Sequence, residues 1–277
     1  MTMRTLDRLR AMLGDIPEDV TEVRLRAGKP AQFRGARGDR FGETVDVGRL
    51  RDILSTLADH SLYARETDLR EGFFTMGDGS RVGVCGRLLW ANGRTTGLAS
   101  AGSLCVRVCR EIRGAADGFY DRLFEDEGRV LCSALIVSGP GMGKTTALRD
   151  AARRLSEGGY NVCIADERHE LAACVDGVPT LDVGPRTDVM DGCPKHVAVS
   201  RLLRSASPQV IVTDEIGGAE EAEALADAVK CGARLLASAH AGSIEQLLSR
   251  RHIPAGAFDI AVLLGGKPGN VMEIRRL

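Results

Sequence analysis

Residues 138–146 read Ser138-Gly139-Pro140-Gly141-Met142-Gly143-Lys144-Thr145-Thr146. Just upstream is the apolar run Leu135-Ile136-Val137, and downstream Ala147, Leu148, Ala151, Ala152 and Leu155 recur on one helical face until Gly158-Gly159. A phosphate chain needs backbone N–H groups pointing inward, which glycine permits, and the positive end of a helix dipole. Strand, glycine-rich loop and helix in this order read as a P-loop: Ser138 to Thr146 cradle phosphates, Lys144 reaches the outer ones, and the Thr145 hydroxyl ligates Mg²⁺. Ser138 stands where Gly or Ala is usual, and its small side chain leaves room for phosphate. A Gly-Lys-Thr tripeptide alone carries little information; its setting between strand and helix supplies the rest.

Working outward, the same rhythm continues towards the C-terminus. Strands are expected at 161–165, 210–212, 234–239, 260–264 and 271–274, with helices at 194–205 and 219–230. Strands without strict alternation, separated by helices, indicate a mainly parallel α/β sheet buried on both faces. Residues 1–113 differ in texture. Met3, Leu6, Leu9, Met12 and Leu13 share a helical face, as do Leu50, Ile53, Leu54 and Leu57, while Val23–Arg26, Arg81–Cys85 and Leu104–Cys109 are strand-like. Asp78-Gly79 and Asn92-Gly93 suit hairpin turns. A smaller α+β domain over 1–113, a linker over 114–128 and an α/β domain over 129–277 are the expected divisions.

Composition narrows the function. The 277 residues carry 37 basic and 38 acidic side chains, net −1, so no global field draws the chain to nucleic acid and none is expected as a partner. The longest run without Asp, Glu, Lys or Arg, 130–143, has 14 residues and is rich in glycine, short of the about 20 apolar residues a membrane span needs. The opening MTMRTLDRLRAMLGD has no continuous apolar stretch, so no secretion signal is expected. Of the eight cysteines none forms a Cys-x-x-Cys pair, and the expectation is reduced thiols acting as small hydrophobes.

Three further groups fall at strand ends. Val210-Ile-Val-Thr-Asp214-Glu215 is an apolar strand delivering two carboxylates, which a doubly wound sheet would place beside the P-loop. Asp214 would hold Mg²⁺ through water, and Glu215 would polarise the attacking water, a role that hydrolysis requires and binding alone does not. Asp166-Glu167-Arg168 ends the second strand and reads equally as active-site carboxylate or local salt bridge. His240, in Ser238-Ala239-His240-Ala241, reads equally as a phosphate sensor or a loop histidine.

These residues resemble a family. Gly139 to Thr146, Asp166-Glu-Arg, Gly184-Pro-Arg-Thr-Asp-Val-Met-Asp-Gly-Cys-Pro-Lys195 and Ser207-Pro-Gln-Val-Ile-Val-Thr-Asp-Glu-Ile-Gly217 look like the stage III sporulation protein AA family. Leu69-Arg-Glu-Gly72, Arg81-Val-Gly-Val-Cys-Gly-Arg87 and Glu22-Val-Arg-Leu-Arg-Ala-Gly-Lys-Pro30 fit the same pattern, so the similarity covers the chain from about residue 16 onward. The 186–195 run is far more specific than the P-loop. That family is similar in turn to type II and type IV secretion and pilus ATPases, which implies a RecA-like P-loop ATPase core behind a smaller N-terminal domain. By the same resemblance Glu167 would be an acidic-box carboxylate, His240 a histidine-box residue, and Arg107, Arg81 or Arg87 an arginine reaching nucleotide in a ring. Ser138, Gln209 where Asp is common, and an abbreviated region after Ser249 depart from the pattern.

The resulting expectation is an ATP- and Mg²⁺-dependent hexameric motor, catalysis resting on Glu215, Glu167, Lys144, His240 and Arg107. The resemblance implies a cytoplasmic place on the mother-cell side of the forespore, peripheral to the membrane, with membrane-embedded subunits of a sporulation channel as partners. Rival readings are a nucleotide-gated assembly subunit, for which the second carboxylate is superfluous, and a RecA-type DNA-handling ATPase, which the charge balance disfavours. A small-molecule kinase lacks a lid-like insertion after the third strand.

Overall fold

The computed structural model describes residues 4–35, 37–61, 69–70, 72–91, 93–109, 112–126, 130–175, 177–248, 253–254 and 256–277. The chain forms two compact units, Met1–Arg110 and Glu111–Leu277.

In the first unit, helix α1 (Thr5–Leu13) and strands β1 (Val20–Arg26), β2 (Lys29–Gly35) and β3 (Gly38–Val45) precede α2 (Val47–Leu57); β4 (Phe73–Thr75), β5 (Arg81–Ala91) and β6 (Arg94–Arg107) follow. The strands make one antiparallel sheet in the order β3-β2-β1-β6-β5-β4. Alternation sends Val23, Leu25, Phe33, Val82, Val84, Leu104 and Val106 to one face, where they pack with Leu9 of α1 and Leu50, Ile53, Leu54 and Leu57 of α2. The Asp46 carboxylate accepts from Arg49 N (2.8 Å) and starts α2. At the Asp78-Gly79 turn, Asp78 accepts from Thr5 N (2.6 Å) and Thr5 Oγ1 (2.8 Å), so the turn also fixes the start of α1. Glu71 of the 69–72 motif and Asn92 of the other expected turn lie outside the described residues.

The second unit begins earlier than the sequence suggests. Within the expected linker Ala116, Phe119 and Leu123 are buried in the unit's core, around a 3₁₀ turn (Tyr120–Leu123). Ala116 N donates to the buried Asp150 carboxylate at 3.0 Å. Residues 114–126 are therefore a packed element, held by apolar side chains spaced three and four apart, and not a free connector; residues 127–128 lie outside the described residues.

A short ribbon, β7 (Phe124–Glu125) with β8 (Val130–Leu131), leads into β9 (Ala134–Ser138), α3 (Lys144–Glu157), β10 (Val162–Asp166), β11 (Thr187–Asp191), α4 (Lys195–Ser205), β12 (Val210–Glu215), α5 (Ala219–Lys230), β13 (Arg234–His240), α6 (Ile244–Leu248), β14 (Ile260–Leu264) and β15 (Val271–Arg276). The seven-stranded sheet runs β11-β10-β12-β13-β9-β14-β15, all parallel except β15. Ile136, Ile164, Val212 and Val262 face α3. Leu135, Val137, Cys163 and Ile211 face the other way, onto α4, α5 and α6, in a layer where ten of 22 buried residues are alanine. Strand β11 was not expected, and β12 is not directly beside β9: β13 lies between them.

None of the eight cysteines is in a disulfide. Burial raises the Cys163 thiol to about 12, an inert small hydrophobe as expected, whereas Cys85 and Cys231 are exposed.

Candidate functional site

Parallel strands share one C-terminal edge, so Ser138, Asp166, Glu215 and His240 all emerge on the same side of the second unit. The loop after β9 turns through Gly141 (φ 73°) and Gly143 (φ 85°), a conformation that disfavours side chains. It is braced from behind, because Gly269 N donates to Met142 O at 2.9 Å. Helix α3 starts at Gly143 without a side-chain cap. Its first N–H groups, and the positive end of its dipole, are left for an anion.

Lys144 is buried and folds back over the loop. Its ammonium donates to Ser138 O (3.3 Å), Ser138 Oγ (3.2 Å), Gly139 O (3.1 Å) and His240 Nδ1 (3.0 Å). Ser138, the departure from the usual loop residue, thus becomes an extra oxygen for the lysine, while its hydroxyl donates to Gly139 O at 2.8 Å. Burial pulls Lys144 below the ordinary lysine pKa, with Glu215 working in the opposite direction. Since an ammonium only donates, His240 accepts at Nδ1 and keeps its proton on Nε2, which lies 3.4 Å from Glu215 Oε2. His240 pairs in register with Ser138, and Glu215 with Ser238. The histidine strand is therefore the bridge that brings Glu215 to a loop two strands away.

The register of β12 slips between Thr213 and Glu215, so two successive side chains leave the strand differently. Glu215 is half exposed towards His240. Asp214 is buried, with its Oδ1 2.7 Å from Lys195 Nζ, both side chains 7% exposed. The same ammonium donates to Glu215 O. Burial raises Asp214 to about 6 against the opposing pull of Lys195. Lys195 ends the specific 186–195 run; its role was not legible, because its partners lie about 20 residues away on another strand. The clue was the unusual specificity of that run itself.

Replacing Lys195 by Met should destabilise the second unit by about 3 kcal/mol, since one partner removed strands a buried charge. Adding Asp214→Leu should recover most of that loss. Urea unfolding followed by circular dichroism checks this, because the only tryptophan, Trp90, reports on the first unit. Equal stability of the single variant and the parent would refute the pair.

Asp166 and Glu167 separate in role. Asp166 is fully buried and accepts from the backbone N–H of Glu170, Leu171 and Ala172 (2.8–3.2 Å), so it organises the loop after β10. Arg149 of α3 holds the far end of that loop through Leu171 O and Glu170 O, both 2.6 Å. Glu167 is half-buried on this doubly tied loop. Its strand lies three inter-strand spacings from β9, about 14 Å. Asp191 of β11 sits 3.0 Å from His169 Nδ1 at the same edge.

In the first unit, Arg34, Glu22, Arg107 and Arg81 form one row across β2, β1, β6 and β5. Glu22 lies 2.5 Å from Arg24 and 3.7 Å from both Arg34 and Arg107. Arg24 holds the Glu22 carboxyl below its usual range. Arg107, 69% exposed, has Glu22 as its acid. Arg81 stacks on the Phe73 ring at 3.5 Å, and Arg87 is exposed.

The fold is that of secretion and pilus ATPases. The Legionella pneumophila ATPase DotB superimposes with a TM-score of 0.60 at 13% identity, covering 94% of this chain and 74% of DotB. The pilus retraction motor PilT with bound ADP gives a TM-score of 0.60 at 14% identity, covering 99% of this chain and 82% of PilT. The chain belongs to the sporulation stage III protein AA family, whose description matches residues 4–276. It is 36% identical to the stage III sporulation protein AA of Bacillus subtilis (strain 168) over 257 residues, 88% of this chain and 82% of that protein. It is also 31% identical over 166 residues to SEEDLING PLASTID DEVELOPMENT 1 of Arabidopsis thaliana, 59% of this chain and 22% of that protein.

Proposed function

We propose that this chain is an ATP-hydrolysing motor with a RecA-like P-loop core, acting in a homo-hexameric ring to power or assemble the channel between mother cell and forespore. The observation that carries the reading is the continuous chain Lys144–His240–Glu215 over a glycine loop at a free helix start. Family membership supports a part in sporulation, and the shared fold supports a secretion-ATPase-like role. The partners are membrane-embedded channel subunits, and the place is the cytoplasmic, mother-cell side. Among the described residues, no helix is long and apolar enough to cross a membrane.

In this reading Gly139 to Thr146 wrap the phosphates of ATP, and Lys144 leaves His240 to neutralise the β- and γ-phosphates. Glu215 orients a water in line with the γ-phosphorus; the new P–O bond forms as the bridge to ADP breaks, and the water's proton passes to Glu215 and then to solvent. The Thr145 hydroxyl and the Asp214 carboxylate are hard oxygen donors that fit Mg²⁺, which takes few protein ligands beside phosphates. Thr145 would hold the ion directly and Asp214, which faces Lys195, would hold it through water. Mg²⁺ supplies charge neutralisation at the phosphates. Glu167 acts as the acidic-box carboxylate of the site, and an arginine of the Arg107–Arg81 row reaches a neighbour's nucleotide.

The ring is tested by mixing two full-length inactive variants, Glu215→Gln and Arg107→Ala. In mixed rings, an intact Glu215 site meets an intact arginine from the other variant, so part of the ATPase activity should return. Arg107 is 69% exposed and stands 3.7 Å from Glu22, a long separation that leaves the guanidinium available to a neighbour. Near-normal turnover by Arg107→Ala alone, or no recovery on mixing, counts against arginine supply in trans.

A further inference from the structure

The β5–β6 hairpin outruns its sheet. β4 pairs with β5 only over residues 81–83, and β1 pairs with β6 only over 103–107, leaving the rest as a two-stranded ribbon. Such ribbons are marginal in water on their own. From Cys85 to Ala91 every residue of β5 is exposed, and three register shifts interrupt the pairing between Cys85 and Trp90. Leu88, Leu89 and Trp90 keep 49%, 51% and 68% of their surface in water, a concentration of apolar side chains that needs a reason. Charge gives it: residues 79–110 contain no Asp or Glu, and Arg87 and Arg94 flank the apolar tip.

We propose that this hairpin docks on a lipid surface carrying anionic headgroups. Trp90 and the leucines enter the boundary between headgroups and acyl chains, while Arg87 and Arg94 meet phosphates. A second copy is a poorer occupant, because the hairpin has no acid to receive the arginines of its mate. Nucleic acid would use the arginines and gain nothing from two adjacent leucines. The inference is independent of the catalytic reading, since it uses no residue of the second unit.

Trp90 is the only tryptophan and so a built-in probe. The full chain is titrated with vesicles of phosphatidylglycerol and phosphatidylcholine in equal parts, and with phosphatidylcholine alone. A blue shift of the emission is expected with the first, weakening as salt rises, and little with the second. The double variant Leu88→Ser/Leu89→Ser retains the probe and should bind the anionic vesicles at least about tenfold more weakly. Arg87→Gln/Arg94→Gln should lose about fivefold per arginine and much of the salt dependence. Circular dichroism checks that both variants fold. No shift with anionic vesicles, equal binding to neutral ones, or unchanged binding by either variant overturns the proposal. So does a shift that grows with protein concentration without lipid, which would indicate self-association, or one produced by duplex DNA and not by vesicles.

Discussion

In Lys144→Ala, ATP hydrolysis is expected to be abolished and ATP binding strongly weakened. The ammonium is the cation most deeply set in the loop, held by two carbonyls, the Ser138 hydroxyl and His240. Each is a neutral group that it can exchange for phosphate oxygens at little cost, and its depressed pKa reflects a site too dry for an unpaired charge. Removing it leaves the outer phosphates without their main protein counter-charge. Fluorescent-nucleotide binding and phosphate release, measured on a variant whose circular dichroism matches the parent, decide the matter. Unchanged turnover would remove the P-loop assignment.

Glu215→Gln should leave ATP binding largely intact and lower hydrolysis on the order of 10²- to 10⁴-fold, the range of a lost general base. The amide keeps the size of the side chain, and the backbone carbonyl that receives Lys195 is untouched, so the strand end should hold its place. His240 can still donate from Nε2 to the amide oxygen. What disappears is the negative charge that orients water. A sporulation complementation assay with the same variant separates motor from gate: a subunit that needs only bound nucleotide would rescue fully, and a motor would not.

Much of this architecture was legible because the second unit is built from buried strands and one-sided helices. Leu135 to Val137, Ala147 to Leu155 and Val210 to Val212 announce their elements by period alone. Strand β11 escaped because Thr187–Asp191 is polar, with no fully buried residue, and lies at the edge with one neighbour. Residues 114–128 looked like a connector by composition, although Ala116, Phe119 and Leu123 carry a buried spacing. Within the site, strand-end position pointed to Glu215 and His240, but no local rule shows that His240 touches Lys144, or that Lys195 engages Asp214. Those contacts depend on strand order, since β13 intervenes between β9 and β12. Strand-end position also gave Asp166 and Glu167 together, where the structure makes Asp166 a scaffold for the loop.

The alanine-rich layer beneath the sheet bears on how force would travel. Alanines interleave there with leucine and isoleucine from α4, α5, α6 and the strands, a mixture of small and large side chains that packs densely. Such a layer behaves as a stiff plate, and the strand ends that hold Glu215 and His240 are rooted in it. In a motor of the kind proposed, a change at the nucleotide would then not be absorbed by a local give between helix and sheet. It would tilt the plate as a whole, and the stroke would appear wherever the plate's rim meets another body.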